Sequence, residues 1–176
     1  RLGKLTANTP KPLIEINEKP FLEYLVNYLI DQGFKNFLFL AGFKGAKLKR
    51  FIKKKFSKRF LKLDFFIEKK PMGTGYVLKK SQKKLSKEFI LINGDTFTNL
   101  NYEKFLKKIN TKKLMNLCVS RKKSNSSGNF FIKKKKVFFI EKPKKTSGLI
   151  NSGIYFLNKK IIKFINIKHN SFEKNI

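Results

Sequence analysis

At 176 residues the chain is long enough for one domain with a real core, and its single Cys118 excludes a disulfide within it. No apolar run approaches the roughly 20 residues of a membrane span and no secretory leader is visible, so the cytoplasm is the expected compartment and no membrane partner is expected. The net charge of +31 raises a nucleic-acid or polyanion binder, yet of 42 basic residues only Arg1, Arg50, Arg59 and Arg121 are arginine, on which base reading and phosphate forks depend.

Lys, Phe, Ile and Asn are inflated together, the mark of an AT-rich codon usage rather than of a selected basic face. The lysines are dispersed, and their densest runs (Lys53-Lys54-Lys55 and residues 133–136) fall where a helix face or a hairpin tip is expected. Such runs are ordinarily solvated surface. No specific nucleic-acid partner is therefore expected, and the basic-binder reading stays as the rival.

Residues 1–12 read as irregular and polar, with Lys11 held on a stiff loop between Pro10 and Pro12. Residues 13–16 read as a short strand. Pro20 is expected at the first position of a helix carrying Phe21, Leu22, Leu25, Val26 and Leu29 inward and closing at Gly33. A buried strand over 36–41 follows, then a basic amphipathic helix over 46–56 with Leu48, Phe51, Ile52 and Phe56 inward, then a strand over 63–67. Pro71-Met72-Gly73-Thr74-Gly75 is a Gly-rich loop whose backbone N–H groups could face a ligand, or a plain turn capped by Thr. A helix is expected over 76–85.

Phe89-Ile90-Leu91-Ile92 then reads as a strand buried on both faces, ending at Asn93-Gly94-Asp95. Gly94 removes side-chain bulk there. Asp95 lies just past the strand's C-terminal end, the edge at which ligands bind in open α/β sheets. Its carboxylate suits a hard divalent cation, or else caps the following turn. A helix near 102–109, a strand over 114–120 with Cys118 as a buried inert thiol, and a hairpin of strands over 130–132 and 137–141 come next. The strand over 148–157 is broken by Asn151-Ser152-Gly153, and a helix over 159–165 closes the readable part. His169 has no companion at ligand spacing. The alternation implies an α/β fold with a mixed, mainly parallel, Rossmann-like sheet flanked by helices and a small antiparallel hairpin insertion.

Taken together, these stretches resemble the sugar-phosphate nucleotidylyltransferase family. Arg1-Leu2 match the end of its GGxGTRL loop and Pro10-Lys11-Pro12-Leu13 its PKPL. Residues 71–75 match its second Gly-rich loop, Asn93-Gly94-Asp95 its NGD strand end, Glu141-Lys142-Pro143 its EKP, and Asn151-Ser152-Gly153-Ile154-Tyr155 the strand after it. The nearest pattern is that of guanylyltransferases acting on mannose 1-phosphate or heptose 1-phosphate; Ser171-Phe172-Glu173-Lys174 points to the heptose type.

The resemblance implies a nucleotide-diphospho-sugar transferase fold and the attack of a sugar 1-phosphate on the α-phosphorus of a nucleoside triphosphate. It also implies a role for each matched residue. Arg1 and Lys11 face the triphosphate, and Asp95 binds Mg²⁺. Gly73, Thr74, Gly75, Asn93 and Gly94 hold the nucleotide. Lys142, oriented by Glu141, receives the sugar's phosphate, and Asn151 and Gly153 form the sugar pocket. A second metal ligand falls on Asn175, where related sequences often carry Asp, or on Glu173. A homo-oligomer is compatible with the pattern.

The chain is expected to be a single domain incomplete at both ends. The resembled fold places a further strand between residues 36–41 and 89–92, so residues 1–176 alone are expected to leave two strand edges open and to be insoluble or inactive. An inactive truncated copy of the enzyme is thus a further reading.

Overall fold

The computed structural model describes residues 3–121, 129–133, 136–140, 149–166 and 172. The segment before the first long helix departs from its expected form. Lys11–Leu13 is a 3-10 turn, and only Glu15–Ile16 (β1) and Lys19–Pro20 (β2) pair, antiparallel, as a small hairpin. Asn17 (φ 48°) and Glu18 (φ 63°) make the turn between them, both left-handed as a tight hairpin of this hand requires. Pro20 is extended (φ −55°, ψ 136°) and precedes the helix rather than opening it.

Helix α1 (Phe21–Asp31) buries Leu22, Leu25, Val26 and Leu29 on one face. Strand β3 (Asn36–Ala41) then passes through α2 (Gly45–Phe56) into β4 (Lys62–Ile67), which lies parallel to β3 with Ala41 opposite Ile67. This is the crossover that alternating apolar strands and an amphipathic helix dictate. Leu48, Ile52 and Phe56 of α2 face inward and are buried, while its lysines face water. Of these, Lys55 places its Nζ 2.9 Å from Oε1 of Glu23, whose side chain is only 9% exposed, and the pair fastens α2 to α1.

Helix α3 (Thr74–Lys80) is shorter than its apolar pattern suggests. The buried Ser81 hydroxyl donates to the Leu78 carbonyl at 3.0 Å, a local bond that competes with helix continuation, and a 3-10 turn (Gln82–Lys84) takes over. Strand β5 (Glu88–Ile92) and α4 (Tyr102–Lys108) follow, α4 being capped by Asn101 Oδ1, which accepts from Lys104 N at 2.8 Å. Then come β6 (Met115–Arg121), β7 (Asn129–Lys133), β8 (Lys136–Ile140) and the long β9 (Leu149–Asn158). The last expected helix is a 3-10 turn, Lys159–Phe164.

β9 organises the larger sheet. It pairs antiparallel with β6 along one edge and with β5, then β7, along the other. The β7–β8 hairpin sits where the sequence implies it. Parallel pairing among the described residues is that of β3 with β4. No pairing joins β3 to β5; a cavity of about 780 Å³ lies there, lined by both strands, by Leu25 and Leu29 of α1 and by Leu78 of α3.

Two cores result. One gathers α1, α2 and Tyr102; the other gathers Leu78, Tyr155, Leu157, Ile161 and Phe172. Cys118 is half-buried against the first, and burial pushes its thiol up, against a smaller opposing effect of its hydrogen bond with Ser152. Among the described residues no helix is long and apolar enough to cross a membrane.

Candidate active site

Pro10 is extended (φ −61°, ψ 140°), and Leu13 N–H donates back to its carbonyl at 2.8 Å. This tight turn, framed by two prolines, aims Lys11 across at the end of β5. Its Nζ lies 3.8 Å from Asp95 Oδ2, with the two side chains 60% and 56% exposed. The Pro12 ring also lies against Gly94, where a Cβ would come 3.3 Å from Pro12 Cγ, so the loop around Lys11 and the β5 end are in close contact. An exposed pair at this separation contributes at most about 1 kcal/mol. It is therefore loose enough to exchange partners when an anion or a cation arrives.

The turn after β5 is closed by backbone, Thr96 N–H donating to Asn93 carbonyl at 3.1 Å. The Asp95 carboxylate does not make that closure and is open to solvent. Among the described residues no group of three or more His, Cys, Asp or Glu could hold a metal by itself. A single open carboxylate fits Mg²⁺ nonetheless, because that ion keeps several waters and completes its shell with substrate phosphates.

Asn93 ties this charged end to a neutral one. Its N–H donates to the Gly153 carbonyl at 2.9 Å. Gly153 has φ 66°, and a Cβ there would fall 2.7 Å from Asn93 Nδ2. The pairing of β9 with β6 explains the conformation. Leu117 faces Tyr155 and Val119 faces Asn151, so β9 spends more residues than β6 between the same two rungs. The bulge re-aims the side chains of residues 151–153. Asn151 Oδ1 accepts from Gly153 N at 2.8 Å, and its Nδ2 donates to Tyr155 Oη at 2.6 Å. Tyr155 is 1% exposed, so the carboxamide is held from the core outward.

The loop over residues 71–75 is held at both ends. Gly73 (φ 90°) takes a backbone conformation that side chains rarely adopt, and Gly75 is buried. Thr74 opens α3, and its Oγ1 accepts from Phe172 N at 2.8 Å. The buried Phe172 ring packs edge-on against Tyr155 with centroids 5.5 Å apart. Thr74, expected only at the nucleotide, thus also anchors Phe172, whose ring meets the tyrosine that holds Asn151. Glu68, after β4, closes the other end of the loop: its Oε2 accepts from Met72 N at 3.0 Å.

Of the expected site residues, Lys11, Asn93, Gly94, Asp95, Asn151 and Gly153 come together, and Gly73, Thr74 and Gly75 form one loop linked to them through Phe172 and Tyr155. Arg1, Glu141, Lys142, Glu173 and Asn175, and also His169, lie outside the described residues. Sequence reasoning counted Tyr155 and Phe172 within matched stretches but gave neither a role, since both look like ordinary core aromatics. It also passed over Glu68, whose only signal is an acid directly after an apolar strand.

The nucleotidyl transferase family model matches residues 1–175. The D-glycero-alpha-D-manno-heptose 1-phosphate guanylyltransferase of Campylobacter jejuni is 36% identical over 166 residues, a match covering 92% of this chain and 72% of that protein. The mannose-1-phosphate guanylyltransferase catalytic subunit beta of Drosophila melanogaster is 29% identical over 188 residues, covering all of this chain and 50% of that protein. The crystal structure of HddC from Yersinia pseudotuberculosis, complexed with GMP-PN, superposes with a TM-score of 0.81 at 33% identity, over 98% of this chain and 78% of that one.

Proposed function

The chain belongs to the nucleotidyl transferase family, and from that premise we propose that it moves the guanylyl group of GTP onto a heptose 1-phosphate. Nucleotidyl transfer to a sugar phosphate is the family's chemistry: a phosphate oxygen of the sugar 1-phosphate attacks the α-phosphorus, the bond to the β-phosphate oxygen breaks, and pyrophosphate leaves. Little covalent help is needed. Two anions that repel must be aligned, and charge on the α-phosphate and leaving group must be neutralised.

The observation that carries the proposal is the meeting of Lys11 and Asp95 at the C-terminal end of β5, one backbone hydrogen bond from the Asn151–Gly153 bulge. In this reading Lys11 leaves Asp95 to lie against the triphosphate. Asp95 would hold Mg²⁺, which when bound neutralises phosphate charge and lowers the barrier to displacement. Asn151, fixed by Tyr155, would meet the hydroxyls of the sugar. Arg1 would add a second cation at the triphosphate, Glu141 and Lys142 would take the sugar's phosphate, and Glu173 or Asn175 would add a metal contact. The heptose reading rests on the Campylobacter relative; mannose 1-phosphate is the competitor.

A thermal-shift panel of GTP, UTP, CTP, dTTP and ATP with Mg²⁺ tests the nucleotide. Ligand at about 100 times Kd adds roughly 2.7 kcal/mol of stability, so GTP alone should raise the melting temperature clearly. A rise with another nucleotide, or with none, overturns the guanylyl assignment. Pyrophosphate release with heptose 1-phosphate against mannose 1-phosphate then decides the acceptor. Lys142→Ala should raise the KM for the sugar phosphate far more than that for GTP.

A further inference from the structure

We infer that the edge of the sheet opposite the candidate site docks on an anionic lipid surface, with Phe60 and Phe164 entering the headgroup layer and the cations around them facing lipid phosphates. The inference goes beyond nucleotidyl transfer and does not depend on it. An excess of lysine singles out no surface by itself, because the 42 basic residues are spread through the chain. What marks this edge is apolar. Phe60 is 102% exposed, more than any other large apolar side chain among the described residues, and Phe164 is 63% exposed.

Backbone sets Phe60 at an apex. Arg59 N–H donates to the Phe56 carbonyl at 3.1 Å and Leu61 N–H to the Arg59 carbonyl at 2.7 Å, so residues 59–61 close a three-residue turn with Phe60 at its centre. Both flanks are anchored: Phe56 is fully buried, Leu61 packs against the same core, and the Arg59 guanidinium lies 5.6 Å from the Phe56 ring centroid. The Phe60 ring is thus held out in water by fixed neighbours. Lys62 N–H donates to the Lys35 carbonyl at 2.9 Å, which places the turn at the N-terminal ends of β3 and β4. Lys35 and Lys62 line one cavity with Ser86 and Glu88, so β5 starts on this side too. β9 ends here, Asn158 lying opposite Glu88, and Lys159–Phe164 turns outward from it, with the Ile165 carbonyl accepting from Lys79 Nζ at 2.7 Å. Asp95 stands past the other end of β5, roughly 15 Å or more away at about 3.3 Å per strand residue.

The charge around the two rings fits the same partner. Lys58, Arg59 and Lys62 flank Phe60 in the chain, and Lys87, Lys160 and Lys163 line a depression of about 400 Å³ that includes no carboxylate. None of these six cations has an ion pair within 4 Å among the described residues. The acids on this side are Asp64, already 3.3 Å from Lys84, with Glu88 and Asp31 at the ends of their elements. Cations draw a surface toward anionic headgroups, and protruding aromatic rings anchor it in the interface. The two together give reversible, salt-sensitive docking that needs no spanning helix. Single-stranded RNA is the other partner that cations and open rings could take. Arg59 is the one guanidinium in the two clusters, which favours lipid phosphate over an RNA backbone. Docking by this edge leaves Lys11 and Asp95, on the opposite edge, open to water.

The experiment sediments the full chain with vesicles of phosphatidylcholine, with and without phosphatidylglycerol, at physiological salt. Wild type should partition onto the anionic vesicles and leave the zwitterionic ones alone. Phe60→Ser, at a fully exposed side chain, should melt as wild type does yet bind roughly tenfold more weakly. Lys58→Gln with Lys62→Gln should lose roughly fivefold for each charge. Lys69→Gln with Lys70→Gln, an equal change of net charge beyond the other end of β4, should bind as wild type does. The chain has no tryptophan, so Phe60→Trp reports insertion directly, through a blue-shifted emission on anionic vesicles. Absence of sedimentation with anionic vesicles overturns the inference. So does an equal loss in the two lysine pairs, which would reduce the attraction to net charge, and so does a Phe60→Ser variant that binds as tightly as wild type. Emission from Phe60→Trp that responds to poly(U) and not to vesicles would assign the surface to RNA and overturn the inference as well.

Discussion

The two ends of the site are built by opposite means. At one, Lys11 and Asp95 are more than half exposed and meet at 3.8 Å, beyond hydrogen-bond length. At the other, Asn151 is held by two short hydrogen bonds, one of them to a tyrosine that is 1% exposed, on a bulge whose Gly153 allows no side chain. Under the proposed function, the difference follows from what each end would bind. Charge acts over several ångströms, and flexible charged groups can be drawn into place by the ligand. A sugar offers only neutral hydroxyls, whose recognition depends on direction, so the protein must set the direction beforehand. The charged end should therefore tolerate structural change and fail on loss of charge, and the neutral end the reverse.

The largest effect expected is at the charged end. Asp95→Asn keeps the shape and removes the charge, and should lower turnover on the order of a thousandfold or more. Because the side chain is 56% exposed, its melting temperature should stay near that of wild type. Near-normal pyrophosphate release by the variant would remove Asp95 from the metal role and dissolve the comparison.

Gly153→Ala makes the complementary break. A Cβ at φ 66° and 2.7 Å from Asn93 Nδ2 must displace Asn93 or unwind the bulge. A cost of about 1–3 kcal/mol is expected from the backbone alone, visible as a lower denaturation midpoint. An unchanged midpoint would mean the bulge is not the constraint inferred for it.

Tyr102 gives a control away from both ends. It is 2% exposed between the Tyr28 and Phe34 rings, and its hydroxyl is pushed up to about 12, first by burial and then by Tyr28 and Cys118. The folded form favours the neutral phenol, so this contribution is fully present below pH 10, the ordinary value, and is lost as pH rises toward 12. Alkaline unfolding between those limits should amount to roughly 2–3 kcal/mol and should flatten in Tyr102→Phe. If the wild-type curve is already flat there, Tyr102 does not titrate as its burial requires.

The smallest effects should fall on the links that hold the neutral end. Tyr155→Phe deletes the partner of Asn151 Nδ2, and Thr74→Val deletes that of Phe172 N. Each removes one hydrogen bond, about 1 kcal/mol. Tyr155→Phe should raise the sugar-phosphate KM several-fold and leave the GTP KM alone, whereas Thr74→Ser should restore what Thr74→Val loses. Equal shifts in both substrates' KM for Tyr155→Phe would show that the neutral end is not a separate unit.

The elements were readable in the sequence wherever local preference and burial agree. Four consecutive apolar residues before Asn93-Gly94-Asp95 made β5, and Leu48, Ile52 and Phe56 at helical spacing made the inward face of α2. Boundaries slipped where a local side-chain bond intervened, as Ser81 does at the end of α3, or where the chain takes 3-10 turns, whose first-turn chemistry matches that of a true helix. The site was legible as motifs, because Gly, Pro and Asp have few roles at strand ends. How those motifs meet was not. That Asn151-Ser152-Gly153 bulges rather than breaks its strand depends on β6 alongside it, and that Thr74 holds Phe172 depends on a contact 98 positions apart. Sequence spacing carries periodicity along one element, whereas pairing register and long-range hydrogen bonds are set only when separate elements pack. Glu68 is the sharpest case: an acid after a strand means little until the ladder with β3 and the bare backbone of Gly42 place its carboxylate at the strand ends.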